Sequence, residues 1–258
     1  MYNEIGGVER VIQLLTSGGL GDAAMSFAKA EALNIPKDQF VITHARIRQD
    51  SLDKPILDFY RSQGVRASIM RLINNCTKTH DGDYLDRSMR NSVSEYDYYL
   101  GTHWSADNGS DMSSWEISPF PVIKYNEVVG WKDNLVLLNP SSGGVDKVKK
   151  SFSRDMVHKF FDKFPNTVII GNGSEKEYGD FPNSLYNKTS IAELVNLIAS
   201  SDVVITPEGF TAYFAGMCGR KVFVKGENIS AINNRKHPNW NMEIVQDLNE
   251  VEYDYIKQ

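Results

Sequence analysis

Cysteine is scarce in this chain: Cys76 and Cys218 are the only two among 258 residues. Two thiols alone build neither a disulfide framework nor a cysteine-based zinc site, and reduced thiols in a cytoplasmic setting are the expectation. No apolar run approaches the ~20 residues that cross a bilayer. The opening stretch, MYNEIGGVER, lacks a basic segment followed by an apolar one, so no secretory leader is expected. On that reading the Asn-x-Ser/Thr matches at Asn75, Asn108, Asn172, Asn187 and Asn228 are chance. Positive charge is not in excess either, since 28 Lys+Arg against 33 Asp+Glu leaves −5. That balance argues against a surface that grips nucleic acid as a whole, though not against a local basic groove. His44, His80, His158 and His237 show no metal-ligand spacing, so no metal site is expected. Repeats and low-complexity tracts are absent. With 41% hydrophobic and 24% charged residues, disordered and fibrous classes are excluded.

What is present is a series of short apolar runs: 11–15, 40–43, 135–138, 168–170, 203–206 and 222–224. Continuously apolar runs this short suit strands buried on both faces of a parallel sheet, and the intervening segments are long enough for crossover helices. The fold class is therefore α/β. Ser190 and Glu193 form a capping box ahead of Ile191, Leu194, Val195 and Ile198, one apolar stripe at helical spacing. A second helix is expected over 154–164, with Met156, Val157, Phe160 and Phe161 inward, and a third from Gly209 to near Gly219. Residues 74–120 mix turn formers with aromatics and carry no long period. A boundary near 125–133 gives two α/β halves, 1–128 and 129–258, facing a cleft.

Three loops carry candidate chemistry, each directly after a strand, where ligands bind in open α/β sheets. Ser17-Gly18-Gly19-Leu20-Gly21-Asp22 is a glycine turn opening a helix, with Gly19 and Gly21 allowing close backbone approach. It is neither a Walker A loop nor a G-x-G-x-x-G turn. Asp22 reads either as a residue capping a tight turn or as a general base. Asn139-Pro140-Ser141-Ser142-Gly143-Gly144, followed by Lys147, Lys149, Lys150 and Arg154, suits a phosphate or diphosphate, or is a loop with a solvated basic face. Thr206-Pro207-Glu208-Gly209-Phe210-Thr211 offers N–H groups to a phosphate and a carboxylate to a ribose hydroxyl, or is simply a helix start with Glu208 near the cap.

Read together and in order, the loops resemble those of the heptosyltransferase-like glycosyltransferases, family nine. Gly19-Leu20-Gly21-Asp22 within 14–33 resembles the family's first strand, G-x-G-D turn and helix. Residues 138–142 followed by 150–153 are similar to its N-P-G-x-S and K-x-W-P elements. Residues 190–194 and 202–206 resemble the helix and strand ahead of its donor loop, and 207–216 its P-E-G-G-x-x-H-A-A-A variant. The resemblance implies the two-Rossmann GT-B fold with a reduced N-terminal domain. It also implies an inverting transfer from a nucleotide-sugar (UDP- or ADP-linked) without cofactor or obligatory metal. It makes Asp22 the base, sets Ser141, Ser142 and Lys150 on the donor diphosphate, and puts Glu208, Gly209, Phe210 and Thr211 around the nucleotide. Ala212 and Tyr213 stand where the family usually has histidine, and Phe152 where it has tryptophan.

The aromatic middle is the candidate acceptor surface, with Trp104 and Trp115 to stack on rings and His103 to bond a hydroxyl; core or rim packing is the plainer reading of these aromatics. The acceptor is most simply a saccharide. Three alternatives stay open: a hydroxymethylated base in phage-type DNA as acceptor, a non-catalytic nucleotide-sugar binding module, and a GT-B epimerase.

Overall fold

Burial on both faces decides which segments become strands. The computed structural model describes residues 11–46, 52–71, 97–100, 134–142, 150–172, 178–226, 229, 232 and 240–251. They belong to two compact units, Met1–Ser118 and Pro119–Gln258.

In the first unit β1 (Ile12–Ser17), β2 (Phe40–Arg46), β3 (Arg66–Arg71) and β4 (Tyr98–Tyr99) form a parallel sheet in the order β3-β2-β1-β4. The last four residues of β1 are all buried, polar Thr16 and Ser17 included, as expected for a central parallel strand. The crossovers are α1 (Leu20–Ala32) and α2 (Asp53–Ser62). Phe27 of α1 meets Phe59 of α2 edge-on, ring centroids 5.9 Å apart, over a core that includes Leu14, Phe40, Ile42 and Tyr60.

The second unit holds a five-stranded parallel sheet of β5 (Val136–Leu138), β6 (Val168–Ile169), β7 (Val203–Pro207), β8 (Lys221–Lys225) and β9 (Met242–Val245), ordered β6-β5-β7-β8-β9. Its helices are α3 (Arg154–Lys163), α4 (Ile191–Ser200) and α5 (Phe210–Met217). The capping box is formed: Ser190 Oγ accepts from the Glu193 N–H, and Glu193 Oε2 accepts from the Ser190 N–H at 2.7 Å. Of the expected α4 stripe, Leu194, Val195 and Ile198 are buried, joined by Leu197, while Ile191 is only half-buried. On α3, Val157 and Phe160 point into the core, with Met156 and Phe161 packed at its margin. Every residue of α5 from Thr211 to Met217 is buried, which its apolar composition on all sides requires. Gly216 is where α5 comes closest to Trp240: a Cβ there would lie 2.8 Å from the indole ring.

Both sheets reverse the direction in which strands are added. From β1 the chain builds outward to β2 and β3, then places β4 on the other side of β1. From β5 it goes out to β6, then returns to place β7 on the opposite flank. Such switch points leave a crevice beyond the carboxyl ends of the strands. The described residues form no helix long and apolar enough to cross a membrane.

Candidate functional site

At the carboxyl edge of the first sheet the chain leaves β1 through Gly18, whose φ of +110° favours glycine. The Gly18 carbonyl is held from two sides, by Arg46 Nη1 and by His44 Nε2 at 3.1 Å. Because a carbonyl only accepts, Nε2 carries the proton; the Tyr60 hydroxyl then donates to Nδ1 of the neutral ring at 3.0 Å. Burial, against the opposing hydrogen bond to Gly18 and with a smaller push from the Arg46 charge, lowers the His44 pKa to about 4. Burial also raises the Tyr60 pKa well above its usual range, with the Asp22 charge adding to the rise. Tyr60 and His44 therefore stay neutral and fix the shape of the glycine turn. The second strand ends on Arg46, where a dinucleotide binder would place a carboxylate.

Gly19 is the N-cap of α1, and its N–H donates to Asp22 Oδ2 at 2.7 Å. Gly21 and Asp22 are half-buried in the first turn of α1. The capping role open to Asp22 is thus present, and it sets the carboxyl group at the mouth of the turn.

The second sheet gathers a denser group. Asn139, just past β5, donates through Nδ2 to Thr211 Oγ1 at 3.1 Å, tying the β5 loop to the first turn of α5. Ser141 Oγ and the Tyr186 hydroxyl are hydrogen-bonded at 2.7 Å, and the Ser142 N–H donates to Ser151 Oγ at 3.1 Å. Lys150 Nζ pairs with Glu208 Oε2 at 3.1 Å, while the Tyr213 hydroxyl donates to Glu208 Oε1 at 2.8 Å. Gly209 caps α5, whose opening residues are Phe210 and Thr211. A helix start of this kind turns backbone N–H groups toward a ligand and favours anions. Lys225, at the end of β8, donates to the Ser151 carbonyl at 2.6 Å and sits over the Phe152 ring.

The structure thus brings Ser141, Ser142, Lys150, Glu208, Gly209, Phe210 and Thr211 to one edge of the second sheet, and Gly19, Gly21 and Asp22 to one edge of the first. His103, Trp104 and Trp115 lie outside the described residues, as do Gly143, Gly144, Lys147 and Lys149. Reading the sequence missed Lys225, Tyr186 and the His44–Tyr60 pair. Only Lys225 had a usable signal, a cation immediately following an apolar strand run. Among the described residues no three His, Cys, Asp or Glu side chains are grouped to hold a metal ion. Cys218 is buried, and burial pushes its thiol up to about 12.

No family model matches the sequence, and no curated protein matches it. Solved structures do match. A glycosyl transferase family 9 protein from Veillonella parvula superposes with a TM-score of 0.55 at 9% identity, over 93% of this chain and 87% of that one. The E. coli ADP-heptose lps heptosyltransferase II gives 0.55 at 11% identity, over 95% and 96% of the two chains. E. coli heptosyltransferase WaaC with ADP gives 0.52 at 8%, over 94% and 97%. The likeness is one of fold: this chain has a heptosyltransferase-like α/β architecture of parallel sheets.

Proposed function

We propose that the protein is an inverting, metal-independent glycosyltransferase that moves a sugar from a nucleotide-sugar to a hydroxyl acceptor, most simply a saccharide. The observation that carries this reading is the group of donors and cations at the carboxyl edges of β5, β7 and β8, in a fold shared with heptosyltransferases. In this reading residues 1–128 form the acceptor side and 129–258 the donor side of a GT-B arrangement with a cleft between them, and the protein works in the cytoplasm.

The chemistry assigns each residue one task. Ser141, Ser142 and the first turn of α5 bind the diphosphate through hydroxyl and N–H groups, and Lys150 offsets its charge. The acceptor oxygen attacks the anomeric carbon from the face opposite the diphosphate, and its proton passes to the Asp22 carboxylate. The bond from the anomeric carbon to the phosphate oxygen breaks with its electron pair on the nucleotide, which leaves as a diphosphate. Stabilising that developing negative charge is the main electrostatic demand of the step, and without a metal it falls to Lys150 and the helix N–H groups. A second reading, a binding module without turnover, draws on the hydrogen bond that already engages Asp22 Oδ2 with the Gly19 N–H.

A thermal-shift screen of ADP, UDP and their sugar conjugates tests the proposal, because a ligand of the native state raises the transition by mass action. One nucleotide should stabilise wild type and Asp22→Asn but not Lys150→Ala. Against acceptor saccharides, Asp22→Asn should then lose about 10²–10⁴-fold in transfer rate, the usual weight of a general base. Bound donor with no transfer by wild type would favour the binding module, turnover unchanged in Asp22→Asn would remove Asp22 as the base, and no shift with any nucleotide would remove the proposal.

A further inference from the structure

Glu208 has partners on both sides. Its Oε2 is 3.1 Å from Lys150 Nζ, and its Oε1 accepts from the Tyr213 hydroxyl at 2.8 Å. The Glu208 side chain is 7% exposed and that of Lys150 30% exposed. A carboxylate so far from water needs both a counter-charge and a hydrogen bond. It is also fixed in place: the Glu208 N–H donates to the Lys225 carbonyl at 2.9 Å. Tyr213 is buried in α5 with its ring near Trp240. Lys150 is the partner with access to solvent, and it precedes α3 on a separate segment.

We infer that Glu208 is a resident anion for Lys150, positioned by Tyr213, and that an incoming diphosphate displaces it from the lysine. This rests on the donor-site reading above, and it changes the part Glu208 plays there. The carboxylate does not grip the nucleotide; it holds Lys150 at the site while the site is empty and competes with the ligand for it. The lysine exchanges one anion for another, so binding never exposes an unpaired ammonium and never realises the full attraction of a free one. Tyr213 sets the strength of that competition, because a hydroxyl donated to the carboxylate takes up part of its charge and loosens its hold on Lys150.

Titration calorimetry with inorganic pyrophosphate, ADP and UDP separates the outcomes, pyrophosphate having no ribose. Glu208→Gln should bind pyrophosphate and the preferred nucleotide about two- to fivefold more tightly, the change expected from removing a partly exposed ion pair of ~0.5–1 kcal/mol. Tyr213→Phe should act in the opposite direction and weaken both ligands by about twofold, while keeping the ring against Trp240. Weaker nucleotide binding by Glu208→Gln with pyrophosphate unchanged would put Glu208 on the ribose and overturn the inference. Equal weakening of both ligands would overturn it too. If wild type binds neither, the donor-site reading itself falls, and the inference with it.

Discussion

Gly18 and Gly19 are neighbours with the same side chain, yet a methyl group should have very different consequences at each. Gly18 has φ +110°, a region in which an L-residue pays roughly 1–2 kcal/mol. A Cβ at Gly18 would also lie 2.5 Å from Asp22 Cγ and 2.6 Å from Asp22 Cβ. The Asp22 side chain must then swing away and release the Gly19 N–H, a cap interaction of about 1 kcal/mol. Gly18→Ala should therefore cost about 2–3 kcal/mol. At Gly19 φ is −96°, and an added Cβ would find Asp22 Oδ2 no nearer than 3.7 Å. Gly19→Ala should cost about 1 kcal/mol or less, the preference for glycine over alanine at an N-cap. Urea denaturation of both variants, and of each in an Asp22→Ala background, reads the difference. With Asp22 truncated, the Gly19 cap bond is already lost, so the cost of Gly18→Ala should fall by about 1 kcal/mol, while the 2.6 Å approach to the Cβ that alanine keeps remains. Equal costs at the two glycines, or full additivity of Gly18→Ala with Asp22→Ala, would refute the geometry assigned to this turn.

Two further outcomes follow from buried groups. The folded pKa of His44 is lowered to about 4 from the usual 6.5, so the unfolded chain takes up the proton first. Its contribution is complete above pH 6.5 and is lost as the pH falls toward 4, by up to about 3 kcal/mol. Wild-type stability measured across that window should fall more steeply than that of His44→Gln, and parallel profiles would contradict the assignment. Gly216→Ala should lower stability by about 1–3 kcal/mol although alanine is the better helix former, because its Cβ meets the Trp240 ring at 2.8 Å. Thermal unfolding checks this, and a stabilised variant would show that the contact is looser than described.

The sequence was most readable where burial leaves little choice. The run 135–138 is apolar throughout because β5 is covered on both faces, and Val136–Leu138 forms as expected. Edge strands hide instead. In β3, Arg66-Ala67-Ser68-Ile69-Met70-Arg71 mixes exposed and half-buried positions with none fully buried, and its two arginines mask a weak apolar signal. Helix α2 was obscured by Pro55, which reads as a breaker yet is tolerated in the first turn of a helix, and its buried stripe is only Ile56, Phe59 and Tyr60. The candidate loops were visible because glycine, proline and serine after a strand are local signals. Their contacts were not visible, since Lys150 and Glu208 are 58 positions apart and meet only through the ordering of β5 and β7. The clamp on Gly18 depends likewise on register, which sets His44 beside Thr16 across β1 and β2.

That distance in sequence bears on how the proposed chemistry can work at all. An inverting displacement needs a carboxylate basic enough to accept a proton and a cation free enough to meet the leaving diphosphate. When both stand on one sheet edge they neutralise each other, as Glu208 and Lys150 do at 3.1 Å. A base paired in that way would hold its proton-accepting site against a permanent positive charge, which lowers its basicity. Asp22 belongs to the first unit, where Arg46 directs Nη1 to the Gly18 carbonyl and Nε toward Asp53 at 3.5 Å. The Gly19 N–H donates to Asp22 Oδ2 at 2.7 Å and orders the carboxylate. The proposal draws the base, Asp22, from the first sheet and the leaving-group cation, Lys150, from the second, so a resident anion such as Glu208 can temper the lysine without itself having to serve as the base.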